Sequence, residues 1–159
     1  MARLLIVHHT VSPATQEMLT AVMDGAATDD IEGVEVQAKA ALAATVGDLL
    51  AADAVLLGTP ANIGYMSGAL KHFFDSVYYP AMGDTNGMPY SLYVHGDNDT
   101  SGAVRAVESI TKGMGWRRHR PPVAVTGRPG NAEREACWEL GAVTALAALE
   151  HGQERSPSA

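Results

Sequence analysis

The sequence predicts a three-layer α/β sandwich, in which a five-stranded parallel sheet in the order 2-1-3-4-5 is doubly wound with helices on both faces. Three observations carry this expectation. Short runs rich in valine, leucine and isoleucine alternate with longer segments of helical periodicity, the pattern of βαβ units. Five such units fit within the 159 residues, with no repeat, low-complexity block or long linker between them. The clearest strand, "AVLLGTP" at 54–60, is apolar throughout, as a strand covered on both faces should be. Five short strands favour the 2-1-3-4-5 order over the larger dinucleotide-binding arrangement. A chain this long folds as one domain and buries roughly 70% of the surface it exposes when unfolded. That domain is expected to span 1–151, with 152–159 as a disordered polar tail.

The elements follow in order. Residues 3–8 form the first strand, and residues 13–27 the first helix, with Met18, Leu19, Val22, Met23 and Ala26 on one face. "GVEVQAKAAL" is a weaker second strand, followed by a short helix in "TVGDLLAAD". After the third strand, a helix over 66–79 places Met66, Leu70, Phe73, Phe74 and Val77 toward the core, while Lys71 and Asp75 stand four apart on the solvated side. "YSLYVHG" and "SGAVRAVESITKGM" make the fourth unit. "PPVAVTG" and "NAEREACWELGAVTALAALE" make the fifth.

Composition narrows the function. A net charge of −7 argues against a general nucleic-acid binder, because a polyanion would be repelled on average. Cys137 is the single cysteine, which excludes an intrachain disulfide and a cysteine-based zinc site. The opening "MARLLIVHHT" is too short in its apolar run for a signal-peptide core or a membrane span. A cytoplasmic location is therefore expected, with no membrane span.

In doubly wound sheets ligands bind beyond the carboxyl ends of the strands. The loops of interest are therefore 9–15, 59–65 and 96–100. The first places Thr10, Ser12 and Thr15 at the mouth of a helix, with Pro13 and Ala14 between them. A helix N-terminus offers free backbone N–H groups and the positive end of its dipole, so this segment can cradle a phosphate; equally, Ser12 or Thr10 can simply cap the helix. No G-x-x-x-x-G-K-[ST] or G-x-G-x-x-G follows the first strand, which excludes the nucleoside-triphosphate and dinucleotide fingerprints. Strands one and three end in His8-His9 and Gly58-Thr59, without the acidic residues a response regulator needs.

The second loop is the most specific segment. "GTPANIGYMSGALKHFFD" at 58–75 resembles the flavodoxin-like NAD(P)H-dependent FMN reductases and quinone reductases, in which Gly-[ST]-Pro-x-x-x-Gly-x-[MLF]-[SP]-[GA]-x-[LM]-K-x-[FL]-[FLI]-D follows strand three. The match holds at Gly58, Thr59, Pro60, Gly64, Met66, Ser67, Gly68, Leu70, Lys71, Phe73, Phe74 and Asp75. The resemblance implies a flavodoxin-like fold, FMN as cofactor, NAD(P)H as electron donor, and a quinone or similar small molecule as acceptor. It further implies that the isoalloxazine ring lies against Pro60, Ala61, Asn62, Ile63 and Gly64. The family's phosphate loop, [ST]-x-[ST]-G-x-T, aligns with Thr10, Ser12, Pro13, Ala14 and Thr15, with His9 at the margin. Here Pro13 replaces the usual glycine and removes an N–H donor, so FMN is expected to bind weakly.

The third loop follows in the same way. Flavodoxin-like proteins hold the flavin's pyrimidine edge with it, which implicates Gly96, Asp97 and Asn98, although a glycine pair common in the reductases is missing. Carboxylates beside a flavin disfavour added negative charge, which would lower the potential of its second reduction step. The alternative is that Asp99 or Thr100 caps the next helix beside a solvated Asp97. A metal site from His8, His9, His95 and Asp97 is disfavoured, because neighbouring strand residues point to opposite faces. The basic cluster "WRRHRPP" reads as a solvated loop ahead of an NADPH-phosphate or acidic-partner site, and Cys137 as a small buried hydrophobe.

Three functions fit. The first is an FMN-binding oxidoreductase passing electrons from NAD(P)H through flavin to a quinone or similar acceptor. The second is an electron-transfer carrier that serves redox protein partners without NAD(P)H activity. The third is a fold relative that has lost flavin. Related reductases complete the flavin site at subunit interfaces, so the resemblance also implies a homodimer.

Overall fold

Alternation within the first strand sets the two halves of the core. In β1 (Ala2–His8), Leu4 and Ile6 face one side of the sheet and Leu5 and Val7 the other, all of them buried. The same division recurs in β3 (Ala54–Asn62), where Ala54 and Leu56 join the first cluster and Val55 and Leu57 the second. The computed structural model describes residues 1–156. It comprises β1, α1 (Pro13–Ala26), β2 (Val34–Ala40), α2 (Val46–Leu50), β3, β4 (Tyr65–Met66) and α3 (Gly68–Val77). These are followed by β5 (Pro89–Gly96), α4 (Ser101–Gly113), β6 (Arg117–Arg118), β7 (Val123–Thr126) and α5 (Asn131–Arg155).

The main strands run parallel in the order β2-β1-β3-β5, with β6 and β7 both paired to β5. This is the expected 2-1-3-4-5 sheet with its fifth strand split. Arg117 and Arg118 pair with Pro89 and Tyr90, whereas Val123 to Thr126 pair with Tyr93 to Gly96. Between them, Pro121 and Pro122 have no N–H to give the ladder, so "PPVAVTG" becomes a strand only after its prolines.

One sheet face is covered by α1 and α5, the other by α3 and α4. The backbones of α1 and α5 meet closely where glycines allow it. A Cβ on Gly25 would fall 1.8 Å from the Trp138 carbonyl oxygen, and one on Gly141 2.0 Å from that of Val22. Facing the core from α1 are Met18, Leu19, Val22 and Ala26 as expected, but Met23 is exposed and Gly25 takes the buried position. On the other face Met66, Leu70, Phe73, Phe74 and Val77 are all buried.

Two boundaries differ from expectation. The helix predicted from residue 66 starts at Gly68, because Tyr65 and Met66 instead pair antiparallel with Asn62 and Ala61 as the hairpin strand β4. The expected disordered tail over 152–159 is corrected in its first part. Residues 152–155 continue α5, held by Arg155 Nη1, which donates to the Ala52 carbonyl at 2.6 Å and to Asp53 Oδ1 at 3.0 Å. The last three residues of that predicted tail, 157–159, lie outside the described residues. Among the described residues no helix is long and apolar enough to cross a membrane.

Candidate functional site at the carboxyl edge of the sheet

At the carboxyl end of β1 the chain leaves the sheet through His9 and turns into α1. The N-terminus of α1 is closed by a reciprocal capping box. Thr15 N–H donates to Ser12 Oγ at 3.1 Å, while Thr15 Oγ1 accepts the N–H groups of Val11 and Ser12, each at 3.0 Å. The capping alternative is the one the structure shows: Ser12 and Thr15 order the loop, while Thr10 and Ala14 keep backbone N–H groups that no described protein group accepts. Pro13, the first helical residue, adds no donor. Thr10 Oγ1 sits 2.8 Å from His8 Nδ1. His9 Nδ1 is buried without a hydrogen-bond partner among the described residues.

Burial lowers the pKa of His8 from its ordinary 6.5, and the neighbouring charge of His9 lowers it further. His8 therefore stands neutral at pH 7. Its ring orders Thr10 without adding positive charge to the loop.

The second loop is a two-residue hairpin. Asn62 pairs with Tyr65, leaving Ile63 and Gly64 at the tip with φ of 49° and 74°, the positive pair of a type I′ turn. Glycine suits such a turn; a β-branched isoleucine is strained there. Ile63 nevertheless projects entirely into solvent. Pro60 is buried within β3 and paired with His95, as the strand expected over 54–60 places it, and β3 continues two residues further through Ala61 and Asn62. Ala61 is half-buried, and Asn62 and Gly64 are exposed.

The hairpin leans on the third loop. A Cβ on Gly102 would overlap the Gly64 carbonyl oxygen at 2.0 Å, and one on Gly96 would lie 3.3 Å from Ala61 Cβ. Gly96 is the buried end of β5, while Asp97 and Asn98 are exposed. Asp99 serves the start of α4, accepting the Ser101 N–H and hydroxyl, each at 2.9 Å. Those bonds hold its carboxyl below the usual range. Thr100 is the N-cap residue without a side-chain bond.

A cavity of about 410 Å³ joins part of this set. Its walls are Ser12, Pro13 and Ala14 from the first loop, Asp97 from the third, and Glu17, His95, Gly127, Arg128 and Pro129. The hairpin residues 61–64 and His9, Thr10 and Thr15 are not among them. His95 Nε2 lies 2.7 Å from the Gly127 carbonyl oxygen, and Gly127 N–H donates to the Gly96 carbonyl at 3.2 Å. The loop after the last strand therefore belongs to this edge as firmly as the first three. Sequence reasoning overlooked it, although the rule that ligands sit beyond strand ends covers "TGRPG" equally well. A second cavity of about 560 Å³ lies along α1 and α5, on the flank of the sandwich, and shares Glu17 with the first.

The basic cluster at 116–122 stands elsewhere. Arg117 and Arg118 pair with the first two residues of β5, so they lie roughly 20 Å from its carboxyl end at a rise of about 3.3 Å per residue. Arg118 meets Glu108 at 3.1 Å there. Among the described residues no three His, Cys, Asp or Glu side chains gather as a metal site.

The dimensions suit a nucleotide-sized ligand. A family model described as NADPH-dependent FMN reductase matches residues 10–124. A protein of Aquifex aeolicus (strain VF5) named flavodoxin is 36% identical over 87 residues, covering 55% of this chain and 46% of that protein. The chain thus matches about half the length of this relative. The structure of a flavodoxin from the Archaea superposes with a TM-score of 0.79 at 17% identity, covering 92% of this chain and 99% of that one. A flavodiiron protein from Giardia intestinalis gives 0.80 at 14% identity, covering 96% of this chain and 37% of that one. The flavodoxin, WrbA-like protein from Agrobacterium tumefaciens gives 0.74 at 18% identity, covering 95% and 99%. At such identities the likeness is one of fold, and the fold is flavodoxin-like.

Proposed function

The chain belongs to the NADPH-dependent FMN reductase family, and from that membership we propose that it is an FMN-binding oxidoreductase taking electrons from NAD(P)H and passing them to a quinone or similar small acceptor. The observation that carries the reading is the convergence of the α1 N-terminus with the loops after β5 and β7 on one cavity at the carboxyl edge of the sheet.

Ser12, Pro13 and Ala14 would meet the phosphate, with Thr10 supplying a hydroxyl and an N–H and His9 an unsatisfied ring nitrogen. The hairpin tip, Asn62 to Gly64, would border the ring, and Gly96, Asp97 and Asn98 its polar edge. FMN supplies the hydride and electron chemistry when bound. The chain's part is to hold it, to order the phosphate loop through Thr15, and to set the local charge. Asp97 on the cavity wall would disfavour additional negative charge on a flavin held there.

A carrier reading has its own support: the chain is acidic, and the relative from Aquifex aeolicus is named flavodoxin. The experiment separates the two. Titration with FMN should quench its fluorescence while riboflavin responds more weakly, and the loaded protein should oxidise NADH or NADPH in the presence of a quinone. Binding without turnover would favour a carrier working with a redox protein partner. Absence of FMN binding would leave a fold relative that has lost its cofactor. The cytoplasmic location and a homodimer completing the site belong to the same proposal, the dimer being checked by light scattering with and without FMN.

A further inference from the structure

We propose that Arg128, on the loop after β7, is the cationic ligand of the cofactor phosphate and stands in for the donor that Pro13 removes; the proposal rests on the flavin reading above. The first loop is short of donors. Pro13 has no N–H, and the N–H groups of Val11, Ser12 and Thr15 are already spent within the capping box. A phosphate dianion at that helix end would meet only the N–H groups of Thr10 and Ala14 and the available hydroxyls. An added positive group makes up such a deficit, and a guanidinium does so with two parallel hydrogen bonds.

Arg128 is placed for this. It lines the same 410 Å³ cavity as Ser12, Pro13 and Ala14, and it is the one lysine or arginine among the lining residues. Two carboxylates, Glu17 and Asp97, share the cavity. Without a cation the space would repel an anion. Glu17 lies 3.9 Å from Arg134, which partly offsets its charge, whereas Arg128 enters no ion pair among the described residues.

The loop that presents Arg128 is fixed on both sides. Gly127 is bonded to Gly96 and His95, and the Pro129 carbonyl accepts Arg134 Nη1 at 2.9 Å. Gly130 N–H donates to Glu133 Oε1 at 3.2 Å. Little backbone freedom remains to be lost on binding, which favours affinity. Arg128 also lies beyond the stretch that the family model matches.

The test compares FMN with riboflavin, which lacks the phosphate. Dissociation constants from fluorescence quenching are measured for the unaltered protein, Arg128→Ala and Arg128→Lys. Loss of a charged hydrogen-bond partner should weaken FMN binding about tenfold or more in Arg128→Ala. Riboflavin affinity should not move, and Arg128→Lys should recover only part of the loss. Arg128 is exposed, so folding should be unaffected, as a thermal melt would show. If the unaltered protein prefers FMN over riboflavin and Arg128→Ala keeps that preference undiminished, the role of Arg128 is overturned while the flavin reading stands. If the unaltered protein binds both equally, the phosphate site and the role of Arg128 are refuted while flavin binding stands; if it binds neither, the flavin reading falls with them.

Discussion

Gly58 shows how one residue ties the sheet to its neighbour. It pairs with Tyr93, and a Cβ at this position would lie 2.0 Å from the buried tyrosine ring. Gly58→Ala should therefore destabilise the fold by about 1–3 kcal/mol through overpacking, read as a lower urea midpoint at unchanged slope. Ile63 offers the opposite case, a residue that costs stability where it stands. Its φ of 49° suits asparagine better than a β-branched chain, so Ile63→Asn should raise stability by about 1 kcal/mol. The same change should weaken FMN binding if the exposed side chain borders the ring; unaltered affinity would remove Ile63 from the site. Histidine sets a pH limit. Burial lowers His8, and burial followed by the charge of Arg120 lowers His119, so the unfolded chain takes up those protons first. Stability should be complete above about pH 6.5 and should fall as the pH drops below it. Urea unfolding between pH 7.5 and 5.5 should show that slope, and His8→Asn with His119→Asn should flatten it. Over the same range Cys137 remains a thiol, since burial pushes its pKa up to about 11.

Among the elements, legibility followed length and period. The five βα units were readable because runs such as "RLLIVH" and "AVLLGTP" and the face made by Leu70, Phe73, Phe74 and Val77 repeat a physical constraint over several residues. The hairpin strand β4 has two residues, too few to show a period, and its existence depends on pairing with Ala61 and Asn62. The end of α5 was hidden for another reason. Residues 152–155 are polar, and what keeps them helical is the anchorage of Arg155 on Ala52 and Asp53, a contact about a hundred positions away in sequence. The close crossing of α1 and α5 was equally unreadable, since Gly25 and Gly141 become meaningful only when each is found against the other helix's backbone.

For the molecule as a whole, the location of the candidate site was legible and its full membership was not. The rule of strand ends led to Ser12, Pro13, Ala14 and Asp97, and these four do share a cavity. The other half of that cavity, His95 with Gly127 to Pro129, lies where the expected pairing of the fourth and fifth strands puts it, but the hydrogen bonds that draw the last loop onto the end of β5 are tertiary contacts with no sequence pattern. The third strand was read two residues short, because a strand's end cannot be told from its apolar run when pairing, here of Ala61 and Asn62 with β4, prolongs it.

The split fifth strand has a consequence for how molecules of this chain meet. An unbroken strand at the rim would leave a row of free N–H and C=O groups onto which another chain could add a strand of its own. Here the rim is interrupted by Pro121 and Pro122, and its first part carries the exposed Arg117 and Arg118. Ordered growth by edge-to-edge stacking is thereby discouraged on this side at high concentration. Any pairing of two copies through this rim must rely on side chains, because the backbone there offers no continuous seam.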